Sequence, residues 1–299
     1  MEVLRTNNLT KKYGLRTVVD SVNMTIEKGD IYGFIGKNGA GKTTLMRMIL
    51  TLCKPSGGDY TLFGSKDIIS GCKKIGSLIE TPCLTSNITA YETLRRYSIL
   101  YGADVKEIDN ILDIVGLNNV GKKKVGQFSL GMRQRMGIAI ALIGYPEFMI
   151  LDEPVNGLDP VGMKEIRDTI IKLNKEKGIT FLISSHLLDE IAKTANKIGI
   201  INEGHLLEEV TMEELGTRCK KKLVIDVDNT ERAEELLKEE YQENDFYEDN
   251  GKLIFEDMSI DSGNINSFLV KNGIVVRELS KVGKSLEQYY IEKVGGVNV

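Results

Sequence analysis

Two short stretches carry residue types suited to handling a polyphosphate. "GKNGAGKTT", residues 36–44, fits the spacing G-x-x-x-x-G-K-[ST] through Gly36, Gly41, Lys42 and Thr43. Glycines there let backbone N–H groups converge on phosphate oxygens without side-chain obstruction, and a following helix N-terminus adds partial positive charge. In such a loop Lys42 reaches the β- and γ-phosphates and the Thr43 hydroxyl is a ligand for Mg2+, while Asn38, Gly39, Ala40 and Thr44 belong to the same cradle. The second stretch, "FMILDEP", is an apolar run ending in Asp152 and Glu153. A strand end of that kind delivers the Asp152 carboxylate to Mg2+ through water, which leaves Glu153 to polarise a hydrolytic water.

Three further positions have chemistry whose setting is less local. His186 follows the apolar run "ITFLISS", so it belongs at the strand end that opens onto the ligand crevice of a parallel sheet. His205, in the turn-like "NEGH", reads as surface. Tyr13 precedes a glycine and suits either stacking on a base or an ordinary strand end. "QFSLGMRQR" (127–135) sets Ser129 and Gly131 before a helix start. On its own it reads as a second phosphate-binding turn or as an amphipathic helix with a polar beginning.

The elements that must position these residues alternate. "GDIYGFIG" (29–36) is a short strand ending in the glycine loop, and "TTLMRMILTLCKPSGG" continues with helical spacing to a Pro-Ser-Gly-Gly stop. Residues 89–124 turn helical, with Tyr91, Leu94 and Tyr101 on one face and Ile108, Ile111, Leu112 and Val115 on another helix. "EFMILDEP" has the continuous apolarity of a buried parallel strand. The next helix has Asp159 as N-cap, Pro160 at its first position and Gly178 at its end. "ITFLISSH" is another strand and "HLLDEIAKTANK" another helix, so the pattern is a mostly parallel sheet covered by helices. Past about residue 212 the texture changes. "KKLVIDVD", "ERAEELLKEEY", "GKLIFED", "INSFLVKNG" and "IVVRELSK" predict a small β-α-β-β-α-β unit followed by a helix, "SLEQYYIEKV".

Composition excludes several classes. The 299 residues are 41% hydrophobic with a net charge of −4, which argues for globular domains and against a nucleic-acid partner. The basic runs Lys122–Lys124 and Lys220–Lys222 read as solvated surface. Cys53, Cys72, Cys83 and Cys219 are scattered without zinc or disulfide spacing, as expected of a cytosolic chain. The beginning lacks the apolar core of a signal peptide. The most apolar stretch, "GIAIALIGYPEFMIL", is broken by Tyr145, Pro146 and Glu147 before reaching the roughly 18 residues a membrane span needs.

In order along residues 1–210, Tyr13, "GKNGAGKTT", "ETP" at 80–82, "FSLGM", "FMILDEP" with "NGLDP", and His186 resemble ATP-binding cassette (ABC) nucleotide-binding subunits. The resemblance implies a P-loop NTPase of ABC type: a RecA-like α/β core with a parallel sheet, an antiparallel β subdomain and a helical signature subdomain. We expect that cassette over 1–211, its helical subdomain at about 82–145, and an α+β accessory domain over 212–299. It further implies that Tyr13 stacks on adenine, that His186 contacts the γ-phosphate and that Asp159 communicates across a dimer. ATP would lie between two copies, each presenting Ser129 and Gly131 to the other's phosphate loop. A separate transmembrane permease is implied, contacted through the Glu80 loop and the region near 82–101. That places the chain at the cytoplasmic face of the membrane.

Two departures narrow the branch. The usual Leu-Ser-Gly-Gly-Gln signature is Phe128, Ser129, Leu130, Gly131 and Met132 here. Glu80 stands where the family usually has a glutamine, and its carboxylate is a candidate Mg2+ ligand. Both features resemble ATP-binding subunits for bacitracin export and lantibiotic immunity, and the length resembles the bacitracin type more. The expected function is ATP hydrolysis driving export of such peptide antibiotics. Export of another hydrophobic or cationic compound, or a regulatory ATPase, are the alternatives.

Overall fold

The computed structural model describes residues 1–80, 82, 84–219, 222–240, 246–255, 261–283 and 285–295. Thr81, Cys83, Lys220 and Lys221, singled out above, lie outside the described residues. The chain divides into two compact units, Met1–Met212 and Glu213–Val299.

The first unit opens with β1 (Glu2–Tyr13), β2 (Arg16–Val22) and β3 (Thr25–Glu27), then β4 (Ile31–Ile35) and α1 (Lys42–Ile49). There follow β5 (Gly57–Leu62), α2 (Ile68–Cys72), β6 (Ile75–Leu78), α3 (Ala90–Tyr101), α4 (Ile108–Ile114) and α5 (Leu130–Ala141). The remainder is β7 (Phe148–Asp152), α6 (Pro160–Lys177), β8 (Thr180–Ser185), α7 (Leu188–Ala192), β9 (Lys197–Asn202) and β10 (His205–Thr211).

Six strands form the central sheet in the order β10-β9-β4-β8-β7-β6, parallel except where β10 meets β9. Every residue of β4, β7 and β8 is buried, because helices cover both faces of a parallel sheet. Side chains such as Phe34, Phe148 and Phe181, fully excluded from water, each contribute about 1.5–3 kcal/mol of burial free energy. The order has a chemical consequence. β8 lies between β4 and β7, so its C-terminal residues emerge between the glycine loop and the acid pair. A smaller antiparallel sheet places β1 between β2 and β3, with β5 also paired to β1.

Several helix limits differ from the sequence pattern. α1 ends at Ile49, well before Pro55, with Thr51 in a left-handed backbone (φ 60) and residues 57–62 extended as β5. The apolar residues after Ile49 continue the helical spacing, but the turn takes the chain out of the helix before proline can stop it. α7 covers only five residues of "HLLDEIAKTANK". On α3 the buried stripe is Ala90, Thr93, Leu94 and Ser98, whereas Tyr91 and Tyr101 are exposed. α6 is capped as its sequence predicts: Asp159 accepts from the Gly162 N–H, Pro160 is the first residue and Gly178 is left-handed at the end.

In the second unit α8 (Met212–Arg218) leads into β11 (Lys222–Val227), α9 (Thr230–Glu240), β12 (Phe246–Asp249), β13 (Lys252–Phe255), α10 (Ser262–Lys271), β14 (Val276–Val282) and α11 (Leu286–Gly295). The antiparallel order β12-β13-β11-β14 is a split β-α-β arrangement, with β12 supplying the strand that no quoted segment covered. Leu223, Ile225, Leu253 and Phe255 form its core with Leu237, Ile265 and Leu269 from the helices.

Gly76, in β6, faces the end of α5 so closely that an added Cβ would meet the Ala141 carbonyl oxygen. Gly76→Ala is therefore expected to destabilise the chain by roughly 1–3 kcal/mol, read as a lower urea midpoint at unchanged m-value.

Candidate functional site

β4 ends at Ile35 and the chain enters the loop at Gly36, whose N–H donates to the Ser185 carbonyl at 3.3 Å. Glycine is required twice here by close approach. A Cβ on Gly36 would lie 2.5 Å from the Ile201 carbonyl oxygen. One on Gly41 would lie 2.7 Å from that of Val18, and Gly41 also has φ 110. The turn at Gly41 starts α1, and Lys42, its first residue, is only 5% exposed. A buried ammonium is tolerated only when compensated. Lys42 Nζ donates to the Gly36 and Lys37 carbonyls at 2.5 and 3.3 Å, and lies 3.2 Å from Glu153 Oε1. A cavity of about 160 Å³ is lined by Lys37, Asn38, Gly39, Gly41, Lys42, Thr43, Thr44 and Glu153, with Val18 at its side. Gly36 and Ala40 shape the loop from behind rather than line this cavity.

The acids arrive across the sheet. Asp152 ends β7, pairs in register with Ser184 of β8 and is buried. Both of its oxygens are engaged by hydroxyls: Thr43 Oγ1 donates to Oδ2 at 2.7 Å and Ser184 Oγ donates to Oδ1 at 2.5 Å. Ser184 Oγ also accepts from the Glu153 N–H at 2.9 Å. Glu153 is left-handed (φ 49), a backbone state costing about 1–3 kcal/mol that persists where surroundings impose it. Its carboxylate lies between Lys42 and His186, whose Nδ1 is 2.9 Å from Oε2. Oε1 is buried, and Lys42 approaches it without hydrogen-bond alignment, so that oxygen keeps a free acceptor site. One strand-end pair thus has two environments: Asp152 is held by two hydroxyls, whereas Glu153 lies between an ammonium and an imidazole with a lone pair to spare.

The donor set fits Mg2+. A hydroxyl and a carboxylate meet at 2.7 Å, and among the described residues no three His, Cys, Asp or Glu side chains gather into a closed cage. Mg2+ is commonly held by one or two protein oxygens, with phosphates and water filling the rest. Thr43 and Asp152 are the residues placed to hold it.

Other residues singled out from the sequence lie elsewhere. Glu80 is 60% exposed, left-handed (φ 61), and paired with Arg47 Nη2 at 2.5 Å. Tyr13 is half exposed and outside the 160 Å³ cavity, with Lys11 Nζ 4.9 Å from its ring centroid. Desolvation, and after it the Cys53 thiol, raise the Tyr13 hydroxyl pKa, while the Arg47 charge opposes them. Ser129, Gly131 and Asp159 line a second cavity of about 360 Å³ with Arg135, Gly157 and Glu165, sharing no residue with the first. Ser129 caps α5, its Oγ accepting from the Met132 N–H at 3.3 Å. A Cβ on Gly131 would meet only Leu158 Cδ2, at an ordinary 3.6 Å, so packing inside the chain does not require glycine there. The departing signature residues are accommodated at the sides: Leu130 lies against Gly157, and the Met132 sulfur accepts from Lys123 Nζ at 3.9 Å. Ser184 and Arg47 were missed in the sequence. The only local sign of the first was a polar Ser-Ser ending an apolar strand.

A loop that buries its lysine against an acid from the parallel strand one place beyond its neighbour is the arrangement of a P-loop ATPase, and the second capped turn on a helical insertion is that of a cassette. The profile of the ABC transporter family matches residues 19–156. The bacitracin transport ATP-binding protein BcrA of Enterococcus faecalis is 43% identical over 298 residues, covering 98% of this chain and 97% of that protein. The lantibiotic transport ATP-binding protein SrtF of Streptococcus pyogenes is 45% identical over 207 residues, 69% of this chain and 90% of that one. A dimeric post-hydrolysis structure of the cassette MJ0796 bound to ADP and Pi superposes with a TM-score of 0.63 at 25% identity, covering 70% and 98% of the two chains. The chain belongs to the ABC transporter ATP-binding proteins, and its activity is ATP hydrolysis.

Ser184 holds both Asp152 and the Glu153 backbone, so Ser184→Ala is expected to lower ATP turnover by roughly ten- to a hundredfold without loss of the fold, measured as phosphate release beside a thermal melt.

Proposed function

We infer that two copies of this chain close around two ATP molecules and drive a separate permease that exports peptide antibiotics of the bacitracin or lantibiotic class. One observation carries the dimer. The phosphate loop and the Ser129–Gly131 turn line different cavities of one chain, and Gly131 has no packing reason of its own to lack a side chain. A glycine at a helix start leaves room for a phosphate brought by another molecule.

In the closed dimer the chain's residues divide the work. Thr43 and Asp152 would hold Mg2+, which would supply charge neutralisation at the phosphate oxygens. Lys42 balances charge at the β- and γ-phosphates, and the partner's Ser129 and Gly131 present donors from the opposite side. Glu153 Oε1 takes a proton from the attacking water, whose oxygen bonds to the γ-phosphorus as the bond to the bridging oxygen breaks and its electron pair leaves with ADP. His186, on Oε2, fixes the orientation of that carboxylate and reaches towards the γ-phosphate. Asp159 caps α6 beside the signature turn, a position suited to relaying closure from one site to the other.

Among the described residues no helix is long and apolar enough to cross a membrane. The exposed Ile99, Leu100 and Tyr101 end α3, and this apolar helix end, near the Glu80 loop's part of the sequence, is suited to a permease at the cytoplasmic face. The cargo class rests on the relatives. The match to the bacitracin transport protein spans both units of this chain, whereas that to the lantibiotic protein covers 69% of it, so the bacitracin type is the better supported.

Glu153→Gln is expected to lower turnover by at least about a hundredfold while accumulating an ATP-bound dimer in size-exclusion chromatography; a variant hydrolysing at the normal rate would remove Glu153 from the base role. Gly131→Asp should still bind ATP as a monomer yet neither dimerise nor hydrolyse, and unchanged turnover would discard the two-copy site.

A further inference from the structure

Arg47 takes no part in the scheme above, yet it stands on the helix that carries Thr43 and pairs with Glu80. It lies four residues after Thr43 on α1, so both side chains share one helix face, about 6 Å apart along the axis. The upper position gives its hydroxyl to Asp152. The lower gives its guanidinium to Glu80 at 2.5 Å, and its charge also acts on the Tyr13 hydroxyl. Glu80 is therefore found one helical turn from the corner suited to the metal. Its left-handed backbone marks a conformation that its surroundings must impose.

The charges explain why such a partner is needed. A glutamine in this loop would be neutral, whereas Glu80 brings a full negative charge towards a triphosphate. We propose that Arg47 is a positioning residue that neutralises Glu80 and holds it off the Thr43–Asp152 corner until a divalent cation, bound with nucleotide, draws the carboxylate in. A divalent ion competes well for a carboxylate held by a monovalent guanidinium, because hard oxygen ligands are what it seeks. The strength is suited to a releasable hold. Both partners are more than a third exposed, 41% and 60%, and such pairs are worth at most about 1 kcal/mol, roughly a fivefold effect. This rests on the nucleotide site described above, and it makes metal dependence a property of the Arg47–Glu80 pair rather than of Glu80 alone.

The test measures binding of a fluorescent ATP analogue to the full-length chain, first in EDTA and then across a Mg2+ titration. Arg47→Gln is expected to weaken metal-free binding by roughly two- to fivefold and to enlarge the enhancement by Mg2+ by a similar factor. Arg47→Lys, which keeps the charge, should restore most of the original response. In a Glu80→Gln background, Arg47→Gln should change neither quantity. The proposal is overturned if Arg47→Gln matches the unaltered chain in both conditions, or if its effect persists once Glu80 is glutamine. Failure of the unaltered chain to bind the analogue at all would instead overturn the nucleotide-site reading.

Discussion

The arrangement depends on keeping one ammonium group buried. Lys42 sits at the start of α1 with almost no exposure, and isolating its charge from water would cost several kcal/mol if nothing compensated it. Two loop carbonyls and Glu153 provide that compensation. The requirement links parts of the chain more than a hundred residues apart. The loop must curl so that its carbonyls face back onto its own lysine. The sheet must then bring β7 within reach, and the acid at its end must be turned inward by a left-handed residue. A triphosphate entering the cavity finds the positive charge already in place, so little reorganisation is needed when negative charge arrives.

β8 makes this geometry possible by lying between β4 and β7. Its last two residues and the one that follows connect the two sides: the Ser185 carbonyl receives the first loop N–H, Ser184 clamps Asp152, and His186 holds Glu153. Three consecutive residues thereby brace the loop and both acids. The signature turn stands on a separate helical segment, capped by its own serine and packed beside the loop that leads into α6. The chain thus holds two cavities whose rigid supports are distinct.

Chemistry set by short spacing was the most legible in the sequence. The glycine loop, the strand-end acids, the Asp159 cap and the Gly178 stop are each specified within a few neighbouring residues, and each is found where its pattern placed it. The partnerships were not legible. Ser184 acts through its register with Asp152, and Arg47 acts through a loop more than thirty residues away, so neither leaves a mark in local spacing. Helix ends were misjudged for a related reason. Apolar residues continue beyond Ile49 because Leu50 and Cys53 still pack against the core, although the backbone has already turned and Leu52 is exposed. In the second unit the alternating strands were readable, and β12, with one buried residue in four, was too short and polar to announce itself.

The open space around Gly131 has a genetic consequence. If two copies close as proposed, a side chain there would spoil only what this chain offers to a partner, whereas loss of Lys42 would spoil only what the chain keeps for itself. In a mixed dimer of two such defective copies, both lesions would fall on the same composite site. The other site would combine an intact loop with an intact signature turn. Two inactive alleles would then complement each other, yielding assemblies with a single complete catalytic centre.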